Sequence, residues 1–203
     1  MGYPRGRRMF RTLVLILLSG STITGAVAGE VSLGVAANFT DTTRELAKRF
    51  EAQTGHTVSA SYGSTGKLYA QIKNGAPFDV FMAADVRRPA LIEEEQAGVP
   101  GTRFTYARGK LALWSPAAAA FENAESYLAR QPFSRLAIAN PKTAPYGLAA
   151  QQVLEHMNQW EALQPKLVRG DSIAQAFQFV VSRNAQAGFV ARSQIKAWKD
   201  DEG

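Results

Sequence analysis

The stretch SYGSTGKL, Ser61 to Leu68, joins an alternating run, HTVSASYG, to a helical pattern, KLYAQIKNG. Gly63 and Gly66 flank the hydroxyls of Ser64 and Thr65, and Lys67 follows. A nucleotide phosphate loop uses similar ingredients in another order: Gly, four residues, then Gly-Lys-Ser/Thr. Here Ser61 stands five positions before Gly66, and Leu68 replaces the magnesium-binding hydroxyl. A P-loop-like phosphotransferase is therefore the weaker alternative. The stretch reads instead as a strand-to-helix turn of an open α/β fold. The first N–H groups of such a helix have no partner, and its dipole favours an anion.

Working outward, strand-like and helix-like segments alternate. EVSLGVAA reads as a buried strand, and TDTTRELAKRFEAQTG places Leu46, Ala47 and Phe50 on one helical face, with Gly55 as its stop. HTVSASYG is a second strand, KLYAQIKNG a helix closed by Gly75 and Pro77, DVFMAA a third strand, and RPALIEEEQAG a helix. Two β-like runs, Phe104 to Ala107 and Leu111 to Trp114, then meet at Gly109. Alternation resumes with AESYLARQ, RLAIAN, GLAAQQVLEHM, PKLVRG, SIAQAFQFVVSR and AGFVA. This order predicts an α/β protein of two lobes, each a mainly parallel sheet flanked by helices, with a hinge near 105–111. The expected division is 29–107 for lobe one and 108–203 for lobe two.

The N-terminus sets the compartment. Arg5, Arg7, Arg8 and Arg11 precede an apolar run from Leu13 to Leu18, and Ala26-Val27-Ala28 supplies a small-x-small cleavage pattern. The apolar run is far short of the roughly 20 residues that span a bilayer. Residues 1–28 therefore read as a cleaved export signal, and Arg7-Arg8 faintly resembles a twin-arginine signal. The net charge of +6 comes from 23 basic and 17 acidic residues; losing four arginines leaves 19 against 17, or +2. The basic balance that would suggest nucleic acid disappears with the signal. The absence of cysteine excludes disulfides and thiolate metal sites.

Four turns resemble SYGSTGKL in kind. AANFT puts Asn38 at a helix start, GSTGK puts Ser64 and Thr65 there, APYGLAA puts Tyr146 and Gly147 there, and GDSIAQ puts Ser172 and Ile173 there. Each alone is explained as a helix cap, worth about 1 kcal/mol. Together they place anion donors in both lobes, at the carboxyl ends of strands where open α/β folds bind ligands. Competing chemistry is sparse. His56 and His156 lack companions at metal-ligand spacing. No Gly-x-Ser-x-Gly elbow occurs. Asp79 and Asp85 read as caps or surface groups, Glu93 to Glu95 as a solvated helix face, and the tryptophans as packing residues, with Trp114 close to the hinge. No enzyme is expected.

As an ordered set, VAANFT, FEAQTGHTV, YGSTGKLYAQIKNGAPFDVFMAAD, RFTYARGKLALWS, ANPKTAPYGLAA and GFVARSQI resemble the periplasmic molybdate-binding proteins of ABC importers, the ModA type. The resemblance runs from about Val31 to Ala197. It implies a two-lobed type II periplasmic binding protein that holds molybdate or tungstate and hands it to a permease driven by an ATPase. It implies ligand contacts at Asn38, Thr65 with Ser64 beside it, Tyr146 and Ile173, with Ala37 adjoining. Molybdenum would enter as molybdate through these same residues, with no other cofactor. Some family members carry a further tyrosine where this chain has Ala191. The resemblance also implies elements beyond KAWKDDEG that return to lobe one, so apolar surface on that lobe is expected. The same scaffold carrying sulfate or phosphate stays open, as does the sensing lobe pair of a transcription regulator. A periplasmic monomer without nucleic acid is the expected state.

The proposed cup has physical sense independent of the resemblance. A dianion buried against Lys or Arg costs desolvation of both partners. Neutral amide, hydroxyl and backbone donors can solvate its oxygens without a buried counter-charge. Lys67 is accordingly expected to point outward, and Ile173 to contribute its main-chain N–H.

Overall fold

The computed structural model describes residues 1–2, 28–117 and 120–198. Most of the predicted export signal lies outside the described residues. Strand β1 (Glu30–Ala36) runs into a 3₁₀ turn, Ala37–Phe39, and then helix α1 (Thr40–Thr54). Strand β2 (Thr57–Gly63) leads to α2 (Thr65–Lys73), and β3 (Val80–Met82) to α3 (Arg87–Glu94). The three strands form one parallel sheet in the order β2-β1-β3. The crossover from β1 to β2 passes through α1, which Gly55 ends by donating its N–H to Glu51 O at 2.9 Å.

The second sheet has the order β4-β7-β5-β6. Its strands are β4 (Leu111–Trp114), β5 (Leu136–Ala139), β6 (Leu167–Gly170) and β7 (Ala187–Ala191). Only β4 runs antiparallel, against β7. Its helices are α4 (Ala124–Arg130), α5 (Pro145–His156), α6 (Trp160–Leu163), α7 (Ile173–Val181) and α8 (Arg192–Ala197). Every residue of β5 and β7 is buried. Their continuous apolar composition follows from helices covering both faces of a parallel sheet. Tyr127, Leu128, Phe133, Leu136, Ile138, Leu154 and Phe189 pack in one core cluster.

The predicted order of strands and helices is present, with local departures. Phe104 to Ala107 forms no strand; Phe104 is 79% exposed, and the Tyr106 hydroxyl donates to Ala83 O at 2.8 Å. The segment crosses between lobes, and among the described residues no strand pairs with it. In α1 the buried residue is Thr43, while Leu46 and Phe50 are 49% and 39% exposed. Of the face predicted to be buried, Leu46 and Phe50 thus lie at the surface and Ala47 is half-buried, while further along the helix Glu51 Oε1 accepts from Val58 N of β2 at 2.8 Å. Tyr62 and Val80 are exposed as well. Large apolar side chains of lobe one therefore lie at the surface of the described residues. Helices α6 and α8 were not anticipated. They are four and six residues long, too short to show helical periodicity.

Candidate functional site

Five strands end at one cleft between the sheets. Their following residues line a single pocket: Ala36, Ala37, Asn38, Gly63, Ser64, Thr65, Ala84, Ala144, Pro145, Tyr146 and Ile173. All six residues expected at the site, Ala37, Asn38, Ser64, Thr65, Tyr146 and Ile173, are brought together here. No lining side chain is charged. Among the described residues no cluster of His, Cys, Asp and Glu could hold a metal ion.

Helix starts supply the donors. Thr65 and Ile173 are the first residues of α2 and α7, so their N–H groups have no partner within the helix. Pro145 opens α5 and has no N–H, which makes Tyr146 the first main-chain donor there. The two serines at equivalent starts differ. Ser172 caps its own helix, its hydroxyl accepting from Gln175 N at 3.3 Å. Ser64 makes no capping bond, is 4% exposed, and its hydroxyl has no partner among the described residues. A buried, unpaired hydroxyl is costly unless a ligand completes it. Asn38 Oδ1 also lacks a partner. Thr65 is engaged differently: its Oγ1 accepts from Ala84 N at 3.0 Å and fixes the turn after β3.

The back of the cup is apolar. Ala37, Ala139, Ala144, Tyr146, Ile173, Ala176 and Ala191 form one cluster. Ala191 is fully buried there, and its methyl side chain contributes no hydroxyl. Burial raises the Tyr146 pKa, partly opposed by the Asn38 amide beside it. Burial, with the Tyr146 charge as a lesser cause, pushes Tyr106 up to about 12. Both phenols are therefore neutral at neutral pH. The Tyr146 hydroxyl rests against Gly109, where an added Cβ would lie 1.9 Å away. The strand-free crossing segment thus touches the wall of the cup.

Several residues hold the site without having been anticipated. Ser193 Oγ donates to Asn38 O at 3.1 Å, and Gln194 Nε2 donates to Ile173 O at 3.3 Å. Both sit on the short helix α8, and their polar side chains carry no motif of their own. Lys67 points away from the cup as expected, and its Nζ reaches Asp171 Oδ2 across the cleft at 2.7 Å. The competing candidates take structural roles. His56 Nδ1 accepts from Gly29 N, Asp79 accepts from Ser32 N, and Asp85 caps Arg88 N. Trp114 packs between Phe177 and Trp198 within lobe two. Glu93 and Glu95 are not simply solvated. Glu93 accepts from Gly101 N and Arg103, and Glu95 pairs with Lys73 and Tyr69.

Known proteins share this chain's sequence and fold. Residues 31–203 match the family described as bacterial extracellular solute-binding protein. The molybdate-binding protein ModA of Azotobacter vinelandii is 51% identical over 183 residues, covering 90% of this chain and 73% of the relative. ModA of Rhodobacter capsulatus is 47% identical over 193 residues, covering 95% of this chain and 75% of the relative. The solved periplasmic molybdate-binding protein of Azotobacter vinelandii superposes with a TM-score of 0.77 at 44% identity, over 79% of this chain and 71% of that one. Two lobes, a neutral cup at their strand ends and these likenesses lead to one assignment: the chain belongs to the bacterial extracellular solute-binding proteins and, among them, to the ModA family.

Proposed function

We propose that this protein binds molybdate, or the similarly shaped tungstate, in the periplasm and delivers it to the permease and ATPase of an ABC importer. It acts as a binding protein and not as an enzyme, it needs no cofactor, and residues 1–28 serve as its export signal. The observation that carries this reading is the Ser64 hydroxyl, buried and unpaired at a helix start that faces two other helix starts.

The bound oxyanion would receive hydrogen bonds from the main-chain N–H groups of Asn38, Thr65, Tyr146 and Ile173, with Ala37 adjoining, and from the Ser64 hydroxyl. The Asn38 amide would serve by a half-turn about its last bond. That turn presents Nδ2 to the oxyanion and leaves Oδ1 to accept from the Tyr146 hydroxyl. A tetraoxo dianion accepts at every oxygen, which suits a cup that only donates. Singly protonated phosphate would place its O–H against another donor, an unpaired clash. Sulfate fits the donor pattern but is smaller, so its rejection rests on the size of the cup.

Titration calorimetry and thermal shift of the purified protein with molybdate, tungstate, sulfate and phosphate test the proposal. The expected result is tight binding and a raised melting temperature with the first two, since a ligand that binds only the folded state stabilises it. Equal affinity for sulfate, or no shift with molybdate, overturns it.

A further inference from the structure

The turn that supplies Ser64 and Thr65 to the cup continues straight into a contact with the opposite lobe. Gly66 N donates to Thr143 O at 2.8 Å. This N–H belongs to the first turn of α2 and, like that of Thr65, has no partner within its own helix. It is given to the other lobe and not to the cup. A Cβ added at Gly66 would lie 2.8 Å from Thr143 O and 3.0 Å from Thr143 Cα. Both are main-chain atoms and cannot swing aside. The third close atom is Arg88 Nη2, which itself donates across the cleft to Lys142 O at 3.3 Å. On the far side of the cup, Ser193 Oγ holds Asn38 O.

We propose that Gly66 is the closure-determining residue of this protein: its missing side chain lets α2 meet the Thr143 main chain, and that meeting holds the cleft shut over the oxyanion. The inference rests on the function proposed above, because it assigns the closed cleft to cargo retention. It adds a residue whose part is played between the lobes. A side chain here would act as a wedge. The three atoms nearest to it all belong to residues outside α2, and the two main-chain ones to the other lobe. Within lobe one the close atom is Arg88 Nη2 at 3.1 Å, the far end of a flexible side chain that can give by a few tenths of an ångström, so lobe one accommodates alanine, which also favours a helix more than glycine does.

The test uses Gly66→Ala in the full chain. Spin labels are placed through Lys48→Cys and Gln152→Cys, both exposed and in opposite lobes of a chain that has no other cysteine. Interlabel distances and molybdate affinity are measured with and without Gly66→Ala. The expected result is a shift of the distance distribution to longer values and at least a tenfold weaker Kd, while the ligand-free melting temperature stays level or rises. Unchanged distances with a Kd within twofold overturn the inference. So does failure of the variant to fold, because that would place the clash within lobe one. If the parent protein binds no molybdate, the functional proposal fails, and the distance comparison alone decides the role of Gly66.

Discussion

At the residue scale, the proposed function separates side chains that would face the oxyanion from side chains that would position its donors. Ser64→Ala removes a hydroxyl hydrogen bond to an anion, worth about 1.5–3 kcal/mol. The expected result is a molybdate Kd weaker by about 10–100-fold in calorimetry, with the ligand-free protein no less stable, because the lost hydroxyl had no partner. Ile173→Ala should behave in the opposite way. Its side chain is buried in the apolar cluster behind the cup, so truncation costs about 2–5 kcal/mol of stability. Its N–H remains, and affinity should change little; a large affinity loss at unchanged melting temperature would contradict a main-chain contact. Tyr106 gives a pH signature. Its pKa in the folded protein is raised to about 12, so its contribution is fully present below the unfolded value near 10. That contribution is lost as pH rises from about 10 towards 12, where the unfolded chain releases the proton more readily. Denaturant melts of Tyr106→Phe should show a shallower alkaline loss than the parent. These roles were unevenly legible. The hydroxyls of Ser64 and Thr65 stand out in the sequence, but only the structure shows that Ala84 N binds Thr65 Oγ1 and leaves Ser64 unpaired.

At the element scale, helix starts were the legible part, because a cap residue before an apolar-periodic run is a local signal. Helices α2, α5 and α7 begin within one residue of the expected positions. The crossing segment departs from what its composition predicts. Phe104 to Ala107 has strand composition, yet no neighbouring strand pairs with it, and β-structure depends on partners that a single segment does not reveal. Which face of α1 is buried was hidden for the same reason, since it depends on how many strands lie below. The contact between Lys67 and Asp171, distant in sequence, was equally invisible. It spans the cleft at 2.7 Å, but the two side chains are 50% and 69% exposed. Exposed pairs contribute about 0–1 kcal/mol. Lys67→Ala should therefore weaken molybdate binding by less than about fivefold, and adding salt should remove that small difference. A loss of a hundredfold would instead place the ammonium group on the oxyanion.

At the scale of the whole molecule, the two lobes are unequal. Strands β5 and β7 are buried throughout, whereas the central strand β1 is buried only towards its end, and its neighbours β2 and β3 contain no buried residue. Local opening follows such differences in buried apolar contact. In native-state hydrogen exchange, the amides of β5 and β7 should be the slowest, and those of β2 and β3 should exchange measurably faster. Equal protection across both sheets would contradict this reading. Saturating molybdate should slow lobe one more than lobe two, because the ligand ties the weaker half to the stronger.

The helix starts that line the cup have an implication for how such a receptor can change over generations. In the proposed cup most of the grip would belong to the peptide backbone, which every amino acid except proline carries alike. Apolar substitutions at Ile173 that keep its bulk would leave what is held unaltered, provided the spacing between helix tips survives. Cargo identity is thereby recorded as a radius, and a change of cargo would require moving helices and not merely exchanging letters.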